Sequence, residues 1–303
     1  MLTLNKGMLF IRCSRYEYLV KKGSMSNYSF HLKDEDKTGI LEALFEKTDF
    51  PVPQERLAEE LSNKISEPNE KYVSDLLEQL LEIEVMLECP NAQQIEKPVC
   101  IMTDLEQVSV IQDIFEKGGY SAQLLVLDDA NHNEQFISLN HNEAASEKLE
   151  PFEYVILFKN HFSPGTFYQA NKLCLEQNKK LIIAYLDGSE GIIIPLLNFA
   201  QVGCYNDFEI LRESSFYNLL DYQVMKERLL QQDKVQPTSH PLHFHMLVNQ
   251  TALLLNQYMQ FSSLNYYAYS MDFERMVNTK TRLLKFPKCP SCQSDKNLVH
   301  AFI

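Results

Sequence analysis

The chain is 303 residues long, 45% hydrophobic and 23% charged, enough for a sizeable core and for two domains. Its formal net charge of −13 repels phosphate backbones and so weighs against general nucleic-acid binding, while a basic or neutral peptide partner would be tolerated. No apolar run reaches the length of about 18 that a membrane span needs, the seven Cys are scattered and odd in number, and the N-terminal "MLTLNKGMLFIRCSRYEYLV" lacks the build of a signal peptide, so a reducing, cytoplasmic setting is expected.

The first ninety residues read as three short strands and then three helices. "MLFIRC" (8–13) and "YEYLV" (16–20) are rich in strand formers and parted by a two-residue polar turn, and "YSFHL" (28–32) alternates as a half-buried strand does. "DEDKTGILEALFEK" carries acids in its first turn ahead of Ile40, Leu41, Leu44 and Phe45 at helical spacing. "PVPQERLAEELSNK" opens on Pro, as helices do. "SEPNEKYVSDLLEQLLEIEVML" opens on Pro68 and Asn69 and repeats Tyr72, Val73, Leu76, Leu77, Leu80 and Leu81 in one amphipathic stripe, with "VMLE" read as a wing strand. This order predicts a winged helix-turn-helix domain over 1–95. The polar "CPNAQQIEKP" (89–98), with a Pro near each end, reads as the linker.

The remainder, 96–303, alternates strands with helices. The strands are "VCIMT" (99–103), "QLLVLDD" (123–129), "YVILFK" (154–159) and "KLIIAYLDG" (180–188), followed by "EGIIIPLL"; the helices are 105–119 and 165–179. "ANHNEQFISLNHNEAASEKLEP" is polar and is expected to carry little regular structure. Beyond residue 205 the chain reads as mostly helical, through "FEILRESSFYNLLDYQVMKERLLQQ" and "HFHMLVNQTALLLNQYMQ", before two late strands in 264–286. The expected class is α/β with a mainly parallel sheet, α+β for the whole chain.

The nucleotide-binding device of such sheets is missing. A phosphate-binding turn needs glycines after the first strand, yet "VCIMT" runs into "DLEQVSVI" and no Gly stands between Gly39 and Gly118. A Walker A motif is absent too, so ATP is not expected on this chain. "YLDGSEG" (185–191) reads as a turn after a strand, and no G-x-S-x-G elbow occurs.

"FPKCPSCQ" (286–293) is a knuckle whose Pro can turn Cys289 and Cys292 toward one ion, which supplies half of a four-ligand zinc site. In "VGCYNDFEILR" (202–212) Cys204 and Asp207 share the same spacing and would complete a tetrahedron if the two segments met; otherwise the pair is metal-free and Asp207 is a surface acid. His240, His243 and His245 are rival ligands, or ordinary polar residues at a helix start.

The third helix of the first domain would read DNA in a transcription factor, but it sets Glu70, Asp75, Glu78, Glu82 and Glu84 against a single Lys71. A peptide suits it better. The edge of the small sheet at "YSFHL" offers unpaired backbone groups, and a peptide strand added there would meet Tyr28, Phe30, Tyr72, Val73, Leu76 and Gln79. For Val73 and Leu76 an ordinary core position is the competing reading.

A peptide-binding winged helix, a glycine-poor α/β domain and a terminal C-P-x-C knuckle together resemble the ThiF-like partner subunit of azoline-forming cyclodehydratases, of the thiazole/oxazole-modified microcin class. The resemblance is architectural over nearly the whole chain and sharp at two motifs, "GIIIPLLNFAQVGCYNDFEILR" (191–212) and "FPKCPSCQ". It implies a winged-helix precursor-peptide recognition domain, then a degenerate Rossmann-type ThiF-like domain ending in a zinc knuckle. It also implies structural zinc on Cys204, Cys289 and Cys292, with Asp207 where the family has a fourth Cys. It implies a subunit with no catalytic residues of its own, which binds the precursor's leader and serves a YcaO-type partner that uses ATP to cyclise Cys, Ser or Thr. In such systems a flavin-dependent dehydrogenase can then oxidise the azoline, and ThiF-like relatives often pair as homodimers. An adenylating enzyme acting on a peptide C-terminus, a winged-helix regulator, and the same scaffold serving another backbone modification are the alternatives.

Overall fold

The computed structural model of the chain describes residues 1–5, 7–47, 49–64, 70–88, 99–128, 135–140, 142–232, 240–260, 266–287 and 289–292. It divides into two compact units, Met1–Glu96 and Lys97–Ile303. The expected linker (89–98) and the Pro68–Asn69 helix start lie outside the described residues.

The first unit runs β1 (Leu2–Leu4), β2 (Leu9–Ser14), β3 (Glu17–Lys21), β4 (Ser29–Lys33), α1 (Ile40–Phe45), α2 (Gln54–Ser62), α3 (Glu70–Glu82) and β5 (Met86–Glu88). Strands β2, β3 and β4 form an antiparallel meander with β4 at an edge, while β5 pairs with β1. The strand read as a wing thus joins the chain's N-terminus and not the three-stranded sheet. Leu2 fixes that pairing, because it is fully buried and exchanges backbone bonds of 2.7 and 3.0 Å with Val52. The first helix is also shorter than its periodicity predicts. Asp34 accepts bonds from Thr38 N (3.1 Å) and Gly39 N (2.6 Å), and Gly39 at φ +83° takes a left-handed step, so residues 34–39 make a turn before the helix can start. The core gathers Val20, Ile40, Leu44, Leu57, Leu61, Val73, Leu77, Leu80 and Val85.

The second unit runs β6 (Val99–Thr103), α4 (Val108–Lys117), β7 (Ala122–Leu127), β8 (Phe136–Ile137), α5 (Asn142–Leu149), β9 (Tyr154–Lys159), α6 (Pro164–Glu176), β10 (Lys180–Asp187), β11 (Glu190–Leu196), α7 (Phe199–Val202), α8 (Tyr205–Ser215), α9 (Leu219–Gln232), α10 (Pro241–Gln260), β12 (Tyr267–Asp272) and β13 (Val277–Arg282). Its eight strands are ordered β13-β12-β11-β10-β9-β6-β7-β8, parallel from β10 to β8 and antiparallel from β10 to β13. Every residue of β6 and β9 is buried, as expected of parallel strands covered on both faces. Alternate residues meet different layers: Cys100 and Met102 face α5, α6, α8 and α9, and Val99 and Ile101 face α4 and α10. At the other end, β13 is exposed along its whole length.

Two expectations need correction. The polar stretch after β7 does hold β8 and α5; α5 anchors itself through only Ala145 and Leu149, four residues apart, too thin a stripe to stand out among polar neighbours. The helical stretch after residue 205 is two helices, because Phe216 takes an extended conformation (φ −80°, ψ 132°) between α8 and α9.

Candidate functional site

The four residues singled out as metal ligands come together. One ligand atom from each of Cys204, Asp207, Cys289 and Cys292 lies within 4.8 Å of every other. Cys204 caps the N-terminus of α8, and its backbone N–H donates to Asp207 Oδ2 at 2.8 Å. Its Sγ stands 3.6 Å from that of Cys289, close to the edge of about 3.8 Å that Zn–S bonds of about 2.3 Å give a tetrahedron. Cys292 Sγ contacts Asp207 Oδ2 at 3.1 Å. Asn206 contacts Cys289 Sγ at 3.9 Å and donates to Ser291 Oγ at 3.1 Å. Cys204, Asp207 and Cys289 are buried and Cys292 is half-buried. Burial pushes the Cys204 thiol up to about 12, against the pull of the Asp207 backbone N–H and with the Asp207 carboxylate and Cys289 adding to the rise, so a cation is what would let this thiol ionise. Three sulfurs and a carboxylate at this spacing suit zinc.

Asp207 is therefore no surface acid, and the histidines are not ligands of this cluster. His243 stacks on Phe273 at 5.0 Å, and His245 Nδ1 lies 3.0 Å from the Pro241 carbonyl on its own helix. "YLDGSEG" is the β10–β11 turn, with Gly188 at φ +65°.

Beyond its first turn α8 is held by polar groups that the sequence reading passed over. Buried Glu209 accepts from Tyr222 and Tyr205 and lies 3.4 Å from Lys226. Arg212 donates to Tyr185 Oη at 2.6 Å and to Asp187 Oδ2 at 2.7 Å, ringed by Phe162, Phe216 and Tyr222 at 5.0–5.5 Å. Burial raises the Tyr185 and Tyr222 phenols, so both stay protonated, Tyr222 donating to Glu209 while Tyr185 accepts from Arg212. The available signal was a Glu and an Arg inside the aromatic-rich "NDFEILRESSFYNLLDY".

The crevice where strand order reverses, between β6 and β9, is where ligands enter such sheets. Here Asp104, directly after β6, pairs with buried Lys159 at 2.9 Å, and they line a cavity of about 200 Å³ with Asp128, Thr166 and Gln169.

In the first unit, the edge strand β4 lies along α3. Tyr28 Oη donates to the Ile83 carbonyl at 3.3 Å, just beyond the C-terminus of α3. At the other end Tyr72 sits by the turn after β4, where burial and then Asp34 and Asp36 raise its phenol pKa. Strand and helix therefore run antiparallel. Asp34 N bonds Tyr16 O at 2.8 Å and Lys22 N bonds Tyr28 O at 3.2 Å. By the alternation of antiparallel ladders, Phe30 and Leu32 also bond toward β3, and Ser29, His31 and Lys33 turn their N–H and C=O groups outward. No strand takes those groups among the described residues. Phe30, Leu32, Tyr72 and Leu76 are partly buried along this trough, Tyr28 packs edge-on against Phe30 at 5.5 Å, and Gln79 is exposed. Val73 is the exception: it is fully buried on the adjacent stripe with Leu77 and Leu80, and packs in the core.

No protein-family profile matches the sequence, and no curated protein does. Solved structures do match. The heterocyclase TruD superposes with a TM-score of 0.61 at 13% identity over 96% of this chain and 42% of its own, so this chain spans about two fifths of it. MccB from E. coli gives 0.53 at 12% identity over 96% of both chains. The E. coli microcin synthetase McbBCD complex with pro-MccB17 bound gives 0.54 at 12% identity over 97% of this chain and all of the matched one. At these identities the likeness is one of fold, a mixed α/β architecture with a large, mostly parallel sheet.

Proposed function

We propose that the chain is the leader-binding, non-catalytic partner subunit of a YcaO-dependent heterocyclase that converts Cys, Ser or Thr of a ribosomal precursor peptide to azolines. The carrying observation is the open edge of β4. Three outward-facing residues there, Ser29, His31 and Lys33, can add a peptide strand over the trough of Phe30, Leu32, Tyr72 and Leu76. The fold shared with a synthetase structure that contains a precursor supports the assignment. In this reading residues 1–95 form a winged-helix recognition domain, and 96–303 form a ThiF-like domain that docks the YcaO partner and pairs as a homodimer.

The chemistry is assigned to the partner. A phosphate entering the β6–β9 crevice would meet the Asp104 carboxylate, and Lys159 is already engaged by it. That supports a crevice without ATP and weighs against the adenylating alternative. In the same reading Cys204, Asp207, Cys289 and Cys292 hold a structural zinc ion, which would tie the segment after β13 to α8. The test is fluorescence anisotropy with labelled peptides from the short reading frames encoded beside the gene. Saturable binding of one of them, weakened by Tyr28→Ala, is the expected result; no binding together with retention on DNA would replace the scaffold with a regulator.

A further inference from the structure

We infer that Asp207 is a clasp that holds Phe286 and Cys292 against α8 with or without a metal ion, so that the three thiols form a preorganised site from which a divalent cation can leave and to which it can return. The inference starts from what the carboxylate already does. Oδ1 accepts from Phe286 N at 2.8 Å, and Oδ2 accepts from Cys204 N at 2.8 Å and from Cys292 Sγ at 3.1 Å. One side chain thus joins the first turn of α8 to both ends of the knuckle, 79 and 85 residues away in sequence. Asp207 is fully buried, and a buried carboxylate is tolerated only with such donors around it.

Gly203 is shaped for the same purpose. At φ +84°, a Cβ there would stand 2.6 Å from Asp207 Oδ2 and 3.0 Å from Cγ, so only glycine lets the carboxylate fold back over the helix terminus. A cysteine at 207 could not replace these bonds. Its single sulfur accepts weakly and could not serve Phe286 N and Cys204 N at once, so a four-thiol version would depend on the metal for docking. The ligand class follows: a borderline cation such as zinc, cadmium or cobalt(II) on three thiolates and one oxygen, held by a site that does not have to fold around it.

The inference draws on the metal-centre reading, and the test separates the two. The full chain would be stripped with a chelator, and cysteine alkylation by a maleimide would be followed residue by residue by mass spectrometry, for the wild type, Asp207→Cys and Gly203→Ala. The expected result is that stripped wild type protects Cys289 at least tenfold better than either stripped variant, and that zinc or cobalt(II) added alone restores protection in Asp207→Cys. If stripped wild type is alkylated at Cys289 as fast as stripped Asp207→Cys, the clasp is wrong. If Asp207→Cys fails to fold, Gly203→Ala makes the same comparison, because it displaces the carboxylate and leaves all three thiols. Should no variant take up a metal, the zinc assignment falls, and the clasp is still judged by the metal-free comparison.

Discussion

Arg212 and Tyr185 stand on α8 and β10 and meet at 2.6 Å, with the guanidinium donating to a phenol that is itself fully buried. The same guanidinium reaches Asp187 at 2.7 Å while three aromatic rings enclose it. Replacing Arg212 with Met leaves Asp187 without its cation and the Tyr185 hydroxyl without its donor. Loss of one partner from a fully buried pair costs about 3–5 kcal/mol; with the Asp187 side chain 33% exposed, about 2–3 kcal/mol is expected here. Urea unfolding followed by near-UV circular dichroism should show a loss of that order, and Arg212→Lys should recover only part of it, because a single ammonium cannot span both partners in the same geometry.

Proline substitutions test the strand edge. His31→Pro removes an outward N–H and no backbone bond to β3, and of side-chain contacts only the exposed one between His31 Nδ1 and Glu17 at 2.9 Å, so the unit should keep its far-UV spectrum while the leader peptide binds at least about tenfold more weakly. Phe30→Pro removes a bond inside the meander and should unfold the sheet. Equal leader affinity in His31→Pro and wild type would exclude strand addition at β4.

Val73 and Leu76 separate the core from the trough. Val73→Ala should lower stability by about 2 kcal/mol and leave leader affinity within about twofold when the protein is folded. Leu76→Ala should cost less stability, because its side chain is only half-buried, and more peptide affinity. A thermal melt paired with an anisotropy titration on each variant distinguishes the outcomes.

Metal content is a direct check on the cluster. Plasma emission spectroscopy of the purified chain should find about one zinc per molecule, and Cys289→Ser should reduce it to a small fraction. Its other contact, Asn206, is 3.9 Å from the same sulfur and cannot substitute as a ligand for a missing thiolate.

Alkaline pH provides a further test through a thiol remote from the Cys and Asp cluster. Burial pushes Cys174 on α6 up to about 12 from an ordinary 9.0, against the opposing pull of Lys179. The folded state holds this thiol neutral, whereas the unfolded chain can ionise it. Its contribution to stability is therefore whole below pH 9 and is lost as pH rises from there through about 12. That corresponds to about 1.4 kcal/mol per pH unit in the window. Cys174→Ala should start less stable and show a flatter fall, measured by urea midpoints between pH 8 and about 11.

The sheet was legible because β6, β9 and β10 are unbroken apolar runs, which only a strand buried on both faces requires. The Cys and Asp cluster was legible in part: the knuckle announces itself, but that Asp207 is interior depends on Gly203 and on Phe286, which no local pattern connects to it. The trough on α3 and the core stripe beside it share one amphipathic helix, so the sequence left Val73 between groove and core, and the structure buries it. Periodicity shows that a helix has an apolar face and not where that face divides. The Asp34 turn and the thin face of α5 were hidden for a related reason, since each depends on one or two side chains among polar neighbours.

The eight-stranded sheet ends in two different ways. β8 is two residues long, and β13, exposed along its whole length, carries Lys280 and Arg282. A row of open backbone groups is a template for any passing strand, including those of other copies of the same chain. Here one end is too short to template a ladder, and the other would bring like charges together in each copy that tried. If β4 receives a peptide as proposed, neither end of the eight-stranded sheet competes with it for a passing strand, and in a crowded cell that difference favours capture over precipitation.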